Sequence, residues 1–230
     1  MPARPKKNHR SQKTNGYGKK DGSFRIIGGS WRSRRLSFPV IEGLRPTTDR
    51  VKETVFNWLM PYIERAIVLD LFAGSGSLGI EALSRGAKSL TAVEVNRSAA
   101  QSIKTNLELL LGSEVLTGSE ILNASEMPTD TDTQKAKVCH TNALAWLDEA
   151  ASGKTNEQLF DVVFLDPPFR KDLLNTCIEH ITQKPILKNK AIIYLEREKE
   201  ATDIVIPVSW KLLKEKIAGQ VCYQLYEVSQ

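Results

Sequence analysis

The sequence predicts an α/β protein built on a mainly parallel sheet with helices on both faces. Three observations carry that prediction. From Ala66 onward, short apolar runs of strand length alternate with amphipathic stretches of helix length. A glycine-rich turn, A-G-S-G-S-L-G at 73–79, joins the first of those strands to the first of those helices. A strand-ending D-P-P-F follows the fourth strand, at 166–169.

Three units follow in order. Residues 1–22 are rich in Lys, Arg, Asn, Gly and Pro and lack periodic apolar positions, so a disordered basic tail is expected. Residues 23–62 form an extension. F-R-I-I-G-G (24–29) and R-R-L-S-F-P-V (34–40) read as two short strands joined by a turn carrying Trp31 and Arg32, a basic β-hairpin. Thr47 or Thr48 can cap the next helix, in which Val51, Val55, Phe56 and Leu59 recur at helical spacing and Pro61 reads as the stop. Residues 63–230 hold the main domain, with strands at 67–71, 89–95, 137–140, 161–165 and 191–196. Its helices fall at 78–85, 99–110, 143–150 and 173–182. The stretches 210–217 and 220–228 close it as an antiparallel pair around Ala218-Gly219. Within this domain 112–135 is long, polar and rich in Ser, Thr, Asp and Glu, and reads as a mobile surface insertion.

Bulk properties bound the function. A chain of 230 residues with 41% hydrophobic content supports one substantial core. Cys139, Cys177 and Cys222 form no C-x-x-C pair, which argues against a disulfide framework or structural zinc and fits a reducing cytoplasm. No apolar run approaches the roughly 20 residues of a membrane span, and no signal-peptide core is evident. The net charge of +5 is unevenly placed, because residues 1–35 hold 11 of the 32 Lys and Arg but one of the 27 acids. A basic arm on a mildly acidic body suits a polyanion, since Lys and Arg displace counterions condensed on phosphates. A tail kept soluble by its charge is the other explanation.

The glycine turn is the first chemical signal. Gly74 and Gly76 let the backbone turn tightly under a ligand that the next helix N-terminus would face. Twenty residues beyond Gly74, Glu94 ends the second strand, where a carboxylate can accept from both ribose hydroxyls. The spacing defines a nucleoside pocket. Gly74, Gly76 and Gly79 also satisfy G-x-G-x-x-G, so a nicotinamide dinucleotide competes. Asp70 weighs against it, because a carboxylate ahead of the loop repels a pyrophosphate and suits a cofactor bearing an ammonium and a sulfonium.

D-P-P-F is the second signal. In a doubly wound sheet the fourth strand's end lies beside the first strand's loop, at the carboxyl edge where ligands bind. An aromatic amine is a poor nucleophile because its lone pair is delocalised. The Asp166 carboxylate and the Pro167 carbonyl can each accept one amino hydrogen and aim the lone pair at a methyl carbon. Pro168 stiffens the loop, and Phe169 can stack on a flipped base.

These blocks resemble the RsmD family of 16S ribosomal RNA guanine-N2 methyltransferases. The resemblance covers R-I-I-G-G-S-W-R, L-R-P-T-T-D-R-V-K-E-T-V-F-N-W-L, D-L-F-A-G-S-G-S-L-G, D-P-P-F and A-G-Q-V-C-Y-Q-L-Y. It implies a Rossmann-like class I methyltransferase with a seven-stranded sheet, binding S-adenosylmethionine through Asp70, Ala73, Gly74, Gly76, Glu94 and Val95. Asn142 stands where many relatives place an aspartate for the adenine amino group. Asp166 to Phe169 would hold the guanine amino group. Arg45, Thr47, Asp49 and Arg50 would line the entrance, although Asp49 equally suits helix capping and a salt-bridged face. Arg25, Arg32, Arg34 and Arg35 are phosphate candidates, since guanidinium forks suit phosphate oxygens. Trp31 can stack on a base or pack the hairpin, with packing favoured, and Glu196 is read as a strand end paired with a neighbouring basic residue. His9, His140 and His180 are scattered and imply no metal.

The expected partner is ribosomal RNA, within an assembling small subunit or free, and a monomeric cytoplasmic enzyme with no membrane contact is expected. Methylation of DNA adenine or protein glutamine, and a non-catalytic nucleoside-binding module, remain alternatives. The choice of guanine over adenine rests on the resemblance alone.

Overall fold

The computed structural model describes residues 21–44, 46–112, 115–117, 133–150, 159–168 and 173–229. Strands β1 (Gly22–Arg25) and β2 (Arg35–Phe38) pair antiparallel as the expected hairpin. Helix α1 (Asp49–Ile63) follows, with the Thr48 hydroxyl accepting from the Val51 amide at 3.4 Å. The helix runs two residues past Pro61, where the sequence suggested a stop. Pro61 falls in the last turn, and it and Asn57, whose carbonyl it leaves without a partner, are exposed, so water can satisfy the orphan.

The remaining elements build one sheet. They are β3 (Ile67–Asp70), α2 (Ser77–Ser84), β4 (Ser89–Glu94), α3 (Arg97–Leu111), β5 (Val115–Thr117), β6 (Lys135–His140) and α4 (Ala143–Ala150). Then come β7 (Phe160–Leu165), α5 (Leu173–Gln183), β8 (Leu187–Glu198), β9 (Trp210–Ala218) and β10 (Val221–Val228). The strand order is β5-β6-β4-β3-β7-β8-β10-β9, parallel except that β10 runs against β8 and β9. These are the seven expected strands and an eighth. The extra one, β5, pairs with β6 from inside the 112–135 segment, so part of that stretch is sheet edge. Residues 113–114 and 118–132 lie outside the described residues.

Chain order reverses between β3 and β7, which makes the carboxyl ends of those two strands the crevice of the fold. Alternating side chains feed two cores. Val68, Val162, Phe164 and Ile192 pack under α1, α2 and α3, while Leu69, Val93, Val163 and Ile193 pack under α4 and α5. Cys139, Cys177 and Cys222 are buried and unpaired. Among the described residues no helix is long and apolar enough to cross a membrane.

The hairpin is bolted to α2. Gly29 has φ +76°, and a β-carbon there would lie 1.7 Å from the Ser84 carbonyl oxygen, so only glycine permits the approach. The Ser30 amide donates to that carbonyl at 2.7 Å and the Trp31 amide to the Ser84 hydroxyl at 3.0 Å. Trp31 itself packs on the core, as its sequence context suggested. Behind this contact lies a buried ion cluster. Lys52 donates to the Arg25 carbonyl, and its Nζ lies 3.7 Å from Glu81 and 3.8 Å from Asp49. Glu81 also accepts from the Ile27 amide at 2.9 Å and Arg85 at 2.8 Å. Burial pulls the Lys52 ammonium below its ordinary pKa, and the Glu81 and Asp49 charges oppose that.

Removing one member of such a cluster strands a buried charge. Glu81→Ala should therefore lower unfolding free energy by about 3–5 kcal/mol in urea denaturation. A loss below about 1 kcal/mol would show that the cluster does not hold the hairpin in place.

Candidate active site

The glycine turn begins where β3 ends. The Gly76 amide donates to the Ala73 carbonyl at 2.7 Å, and Gly74 and Gly76 take φ of +55° and +79°, a region that β-carbons disfavour. Gly76 caps α2 without a side chain. The acceptor comes from the strand instead, because Asp70 Oδ2 receives the Gly79 amide at 3.2 Å. A β-carbon at Gly79 would stand 2.7 Å from Leu90 and 3.2 Å from Asp70 Oδ2, so the third glycine lets the helix close on the sheet. A carboxylate thus occupies the helix N-terminus where a dinucleotide's pyrophosphate would need to sit, which counts against the nicotinamide alternative.

Glu94 is locked from two sides. Its Oε2 accepts from the Gly74 amide and its Oε1 from the Asn96 amide, both at 2.7 Å, and each oxygen keeps another lone pair. Burial raises its pKa, and those backbone bonds work against the rise. Val95 is exposed at the same strand end, its carbonyl 3.1 Å from His140 Nε2. Asn142 Oδ1 accepts from the amides of Leu144 at 2.8 Å and Ala145 at 3.5 Å, so the oxygen expected to receive an adenine amino group already caps α4.

Asp166 leaves the adjacent strand. The Leu71 amide donates to the Phe164 carbonyl at 3.2 Å, and Asp70 pairs with Phe164, so the Asp70 and Asp166 loops open on one edge of the sheet. Next along, Leu165 pairs with Leu195, which sets Glu196 beside Asp166. Glu196 accepts from the Tyr194 hydroxyl at 2.6 Å, not from the neighbouring base expected from sequence. Pro167 is buried and Pro168 exposed; Phe169 lies outside the described residues. Burial drives the Asp166 carboxyl well above the usual carboxylate range, and Glu196 and Asp70 add repulsion. Asp70 is pushed up to about 7, chiefly by burial and further by Glu94. Carboxyls crowded at a low-dielectric edge favour an incoming cation. Strand order alone brings Glu196 to them, so its only trace in the sequence is an acid at the end of the fifth apolar run.

The basic candidates scatter. Arg25 lies 2.8 Å from Asp49 with half its side chain exposed, which is the salt-bridged alternative considered for Asp49. Arg32, Arg34, Arg35 and Arg50 are exposed, and Arg45 lies outside the described residues. The hairpin turn docks at the C-terminal end of α2, roughly 12 Å along that helix from the glycine turn. Arg50 sits instead in the first turn of α1. One helical turn on, Thr54 receives Lys216 of β9 at 3.5 Å, a cation the sequence did not single out.

A mainly parallel sheet of this order, closed by an antiparallel pair and carrying the glycine turn after β3 and D-P-P after β7, defines a Rossmann-like class I methyltransferase fold. The chain belongs to the family described as Conserved hypothetical protein 95, whose model matches residues 24–227, and this is the RsmD family. It is 44% identical over 206 residues to the Haemophilus influenzae ribosomal RNA small subunit methyltransferase D, covering 90% of this chain and 94% of that protein. The protein of the same name from Escherichia coli K12 is 42% identical over 206 residues, 90% of each chain. A solved Escherichia coli structure, 38% identical, superposes with a TM-score of 0.73 over 90% of this chain and 99% of that one.

The Asp70 carboxyl gives a pH signature. An ordinary aspartate ionises near 3.8, whereas this one holds its proton to about 7, so the folded chain binds more protons between those values. Its stabilising contribution is complete below about pH 4 and is lost as pH rises through 7. Asp70→Asn should flatten that decline and exceed the wild type at pH 8 in urea denaturation, while differing less at pH 5. Parallel curves for the two proteins across this range would contradict the assignment.

Proposed function

We propose that this chain transfers the methyl group of S-adenosylmethionine to the exocyclic N2 amino group of a guanine in small-subunit (16S) ribosomal RNA. One observation carries the proposal: the Asp70 glycine turn and the Asp166 turn meet on neighbouring strands of a chain in this family. The residues present suit the cofactor. Asp70 offers a carboxylate to a positively charged amino acid end, Glu94 keeps lone pairs for ribose hydroxyls, the backbone at Gly74 leaves room for close approach, and Ala73 and Gly76 complete the turn. Val95 completes the cofactor set at the end of β4, and Asn142 joins it just past β6 with its side-chain oxygen already engaged in capping α4. When bound, the sulfonium supplies an electrophilic methyl group.

The chain's own residues then act on the base. Asp166 accepts one amino hydrogen and the Pro167 carbonyl the other, so the nitrogen lone pair is aimed rather than spread into the ring. As the new nitrogen–carbon bond forms at the expense of the methyl–sulfur bond, whose electron pair stays on sulfur as a neutral thioether, the nitrogen becomes acidic, and a carboxylate with a raised proton affinity is well matched to take the released proton. Pro168 stiffens the turn, and Phe169 stacks on the extruded base, a contact worth about 1–3 kcal/mol. Arg32, Arg34, Arg35, Arg45 and Arg50, with the free edge of Arg25 and the 1–22 tail, contact phosphates and position the RNA. The 23–62 extension presents these groups, and the 63–230 domain performs the chemistry, as a monomer in the cytoplasm on an assembling small subunit.

The test uses radiolabelled methyl donor, undermodified small-subunit RNA or particles, and nucleoside analysis. N2-methylguanosine is expected; N6-methyladenosine, or no incorporation into either substrate, refutes the proposal. Asp166→Ala should reduce turnover by about 1,000-fold or more while calorimetric affinity for S-adenosylmethionine stays within about tenfold, because the lost contact matters mainly in the transition state. Deleting residues 1–22 should weaken RNA binding and make its logarithmic salt dependence shallower. An unchanged slope would remove the tail from the RNA-binding set.

A further inference from the structure

We propose that Glu196 determines specificity, accepting the N1–H of the target guanine beside the N2 amino group held by Asp166. The inference rests on the guanine methylation proposed above and names what selects the base. Parallel pairing of Leu165 with Leu195 places Asp166, just past β7, beside Glu196, two residues before β8 ends, with backbones about 4.8 Å apart in the direction of pairing. N1 and the N2 amino group are neighbours on one edge of guanine, so carboxylates carried side by side on paired strands can converge on two donors of one base.

The Glu196 carboxylate is held in place. Its Oε2 accepts from the Tyr194 hydroxyl at 2.6 Å, and Tyr194 is fully buried with its ring edge-on to Phe164 at 5.9 Å. Across β10 the partner of Glu196 is Tyr223, itself buried and stacked near Trp58 at 5.5 Å. The other oxygen, Oε1, has no hydrogen-bond partner among the described residues, and neither has the Asp166 carboxylate. Both carboxylates thus keep acceptor capacity for a ligand donor.

The chemistry separates the purines. Guanine brings N1–H, a donor. Adenine brings an unprotonated N1, whose lone pair would face the carboxylate and leave it unsatisfied. A site built to hydrogen-bond one group rejects the analogue lacking it by about 10⁴–10⁵-fold.

The experiment uses the full chain, S-adenosylmethionine, and RNA carrying either guanine or 2-aminopurine at the mapped target. The analogue keeps the 2-amino group but has an unprotonated N1. Single-turnover methylation by the wild type should be at least about 100-fold slower on 2-aminopurine. In Glu196→Gln the carboxamide can donate to an unprotonated N1, so the guanine rate should fall while the preference for guanine shrinks by at least about tenfold. Tyr194→Phe, which removes only the clamping hydroxyl, should shrink the preference in the same direction and keeps the test available if the first variant does not fold. S-adenosylmethionine affinity should stay within about threefold in both. Equal loss on the two substrates, or a wild type indifferent to them, overturns the role of Glu196 while the guanine reaction stands. A wild type that methylates neither base overturns the functional proposal, and this inference with it.

Discussion

The parallel pairing of β3 with β7 is the constraint on which the site depends. Asp70 pairs with Phe164, so two residues later the second strand delivers Asp166 to the same edge. A register slip of one residue would turn every side chain of β7 to the opposite face and carry Asp166 away from the crevice. Two cores prevent it. Val162 and Phe164 are committed beneath α1 and α2, Val163 and Leu165 beneath α4 and α5, and all four are fully buried.

That register forces carboxyls together. Asp70 ends β3, Asp166 follows the end of β7 and Glu196 lies near the end of β8, on three neighbouring strands, and burial makes their ionised forms costly. Such crowding would be a defect in a purely structural protein. In a site that accepts a positively charged cofactor it becomes preorganisation, because the repulsion is relieved when a cation arrives. Asp70 serves both states, since it also stands in for the missing cap of α2.

The hairpin extension is placed by different physics. A positive φ at Gly29, a glycine-sized gap over Ser84 and the buried Lys52–Glu81 pair fix it to the end of α2 remote from the glycine turn. Arg32, Arg34 and Arg35 are thus exposed on or beside a hairpin docked away from the glycine turn, while Asp166 follows a strand of the main sheet.

Periodicity was enough to find the helices, the seven main strands and the hairpin, because a two-sided apolar core leaves its alternation in the residues themselves. Gly74, Gly76, Asp70, Glu94 and D-P-P were also visible, since each acts within a few residues of a strand end. Other features had no local signature. Helix α1 survives Pro61 because that proline lies in an exposed last turn, and β5 emerges from polar sequence because an edge strand needs only a partner. Glu94 turned out to be tied to the amide of Gly74 in the glycine turn, and Asn142 to the amides of the helix it caps, bonds that spacing alone does not reveal. Above all, sequence showed an acid closing the fifth apolar run, but only the tertiary structure decided that the strand continues to Glu198 and that Glu196 adjoins Asp166 and not a base. Adjacency in a sheet is fixed by strand order, and strand order is a property of how the chain crosses over, not of the residues at the strand's end.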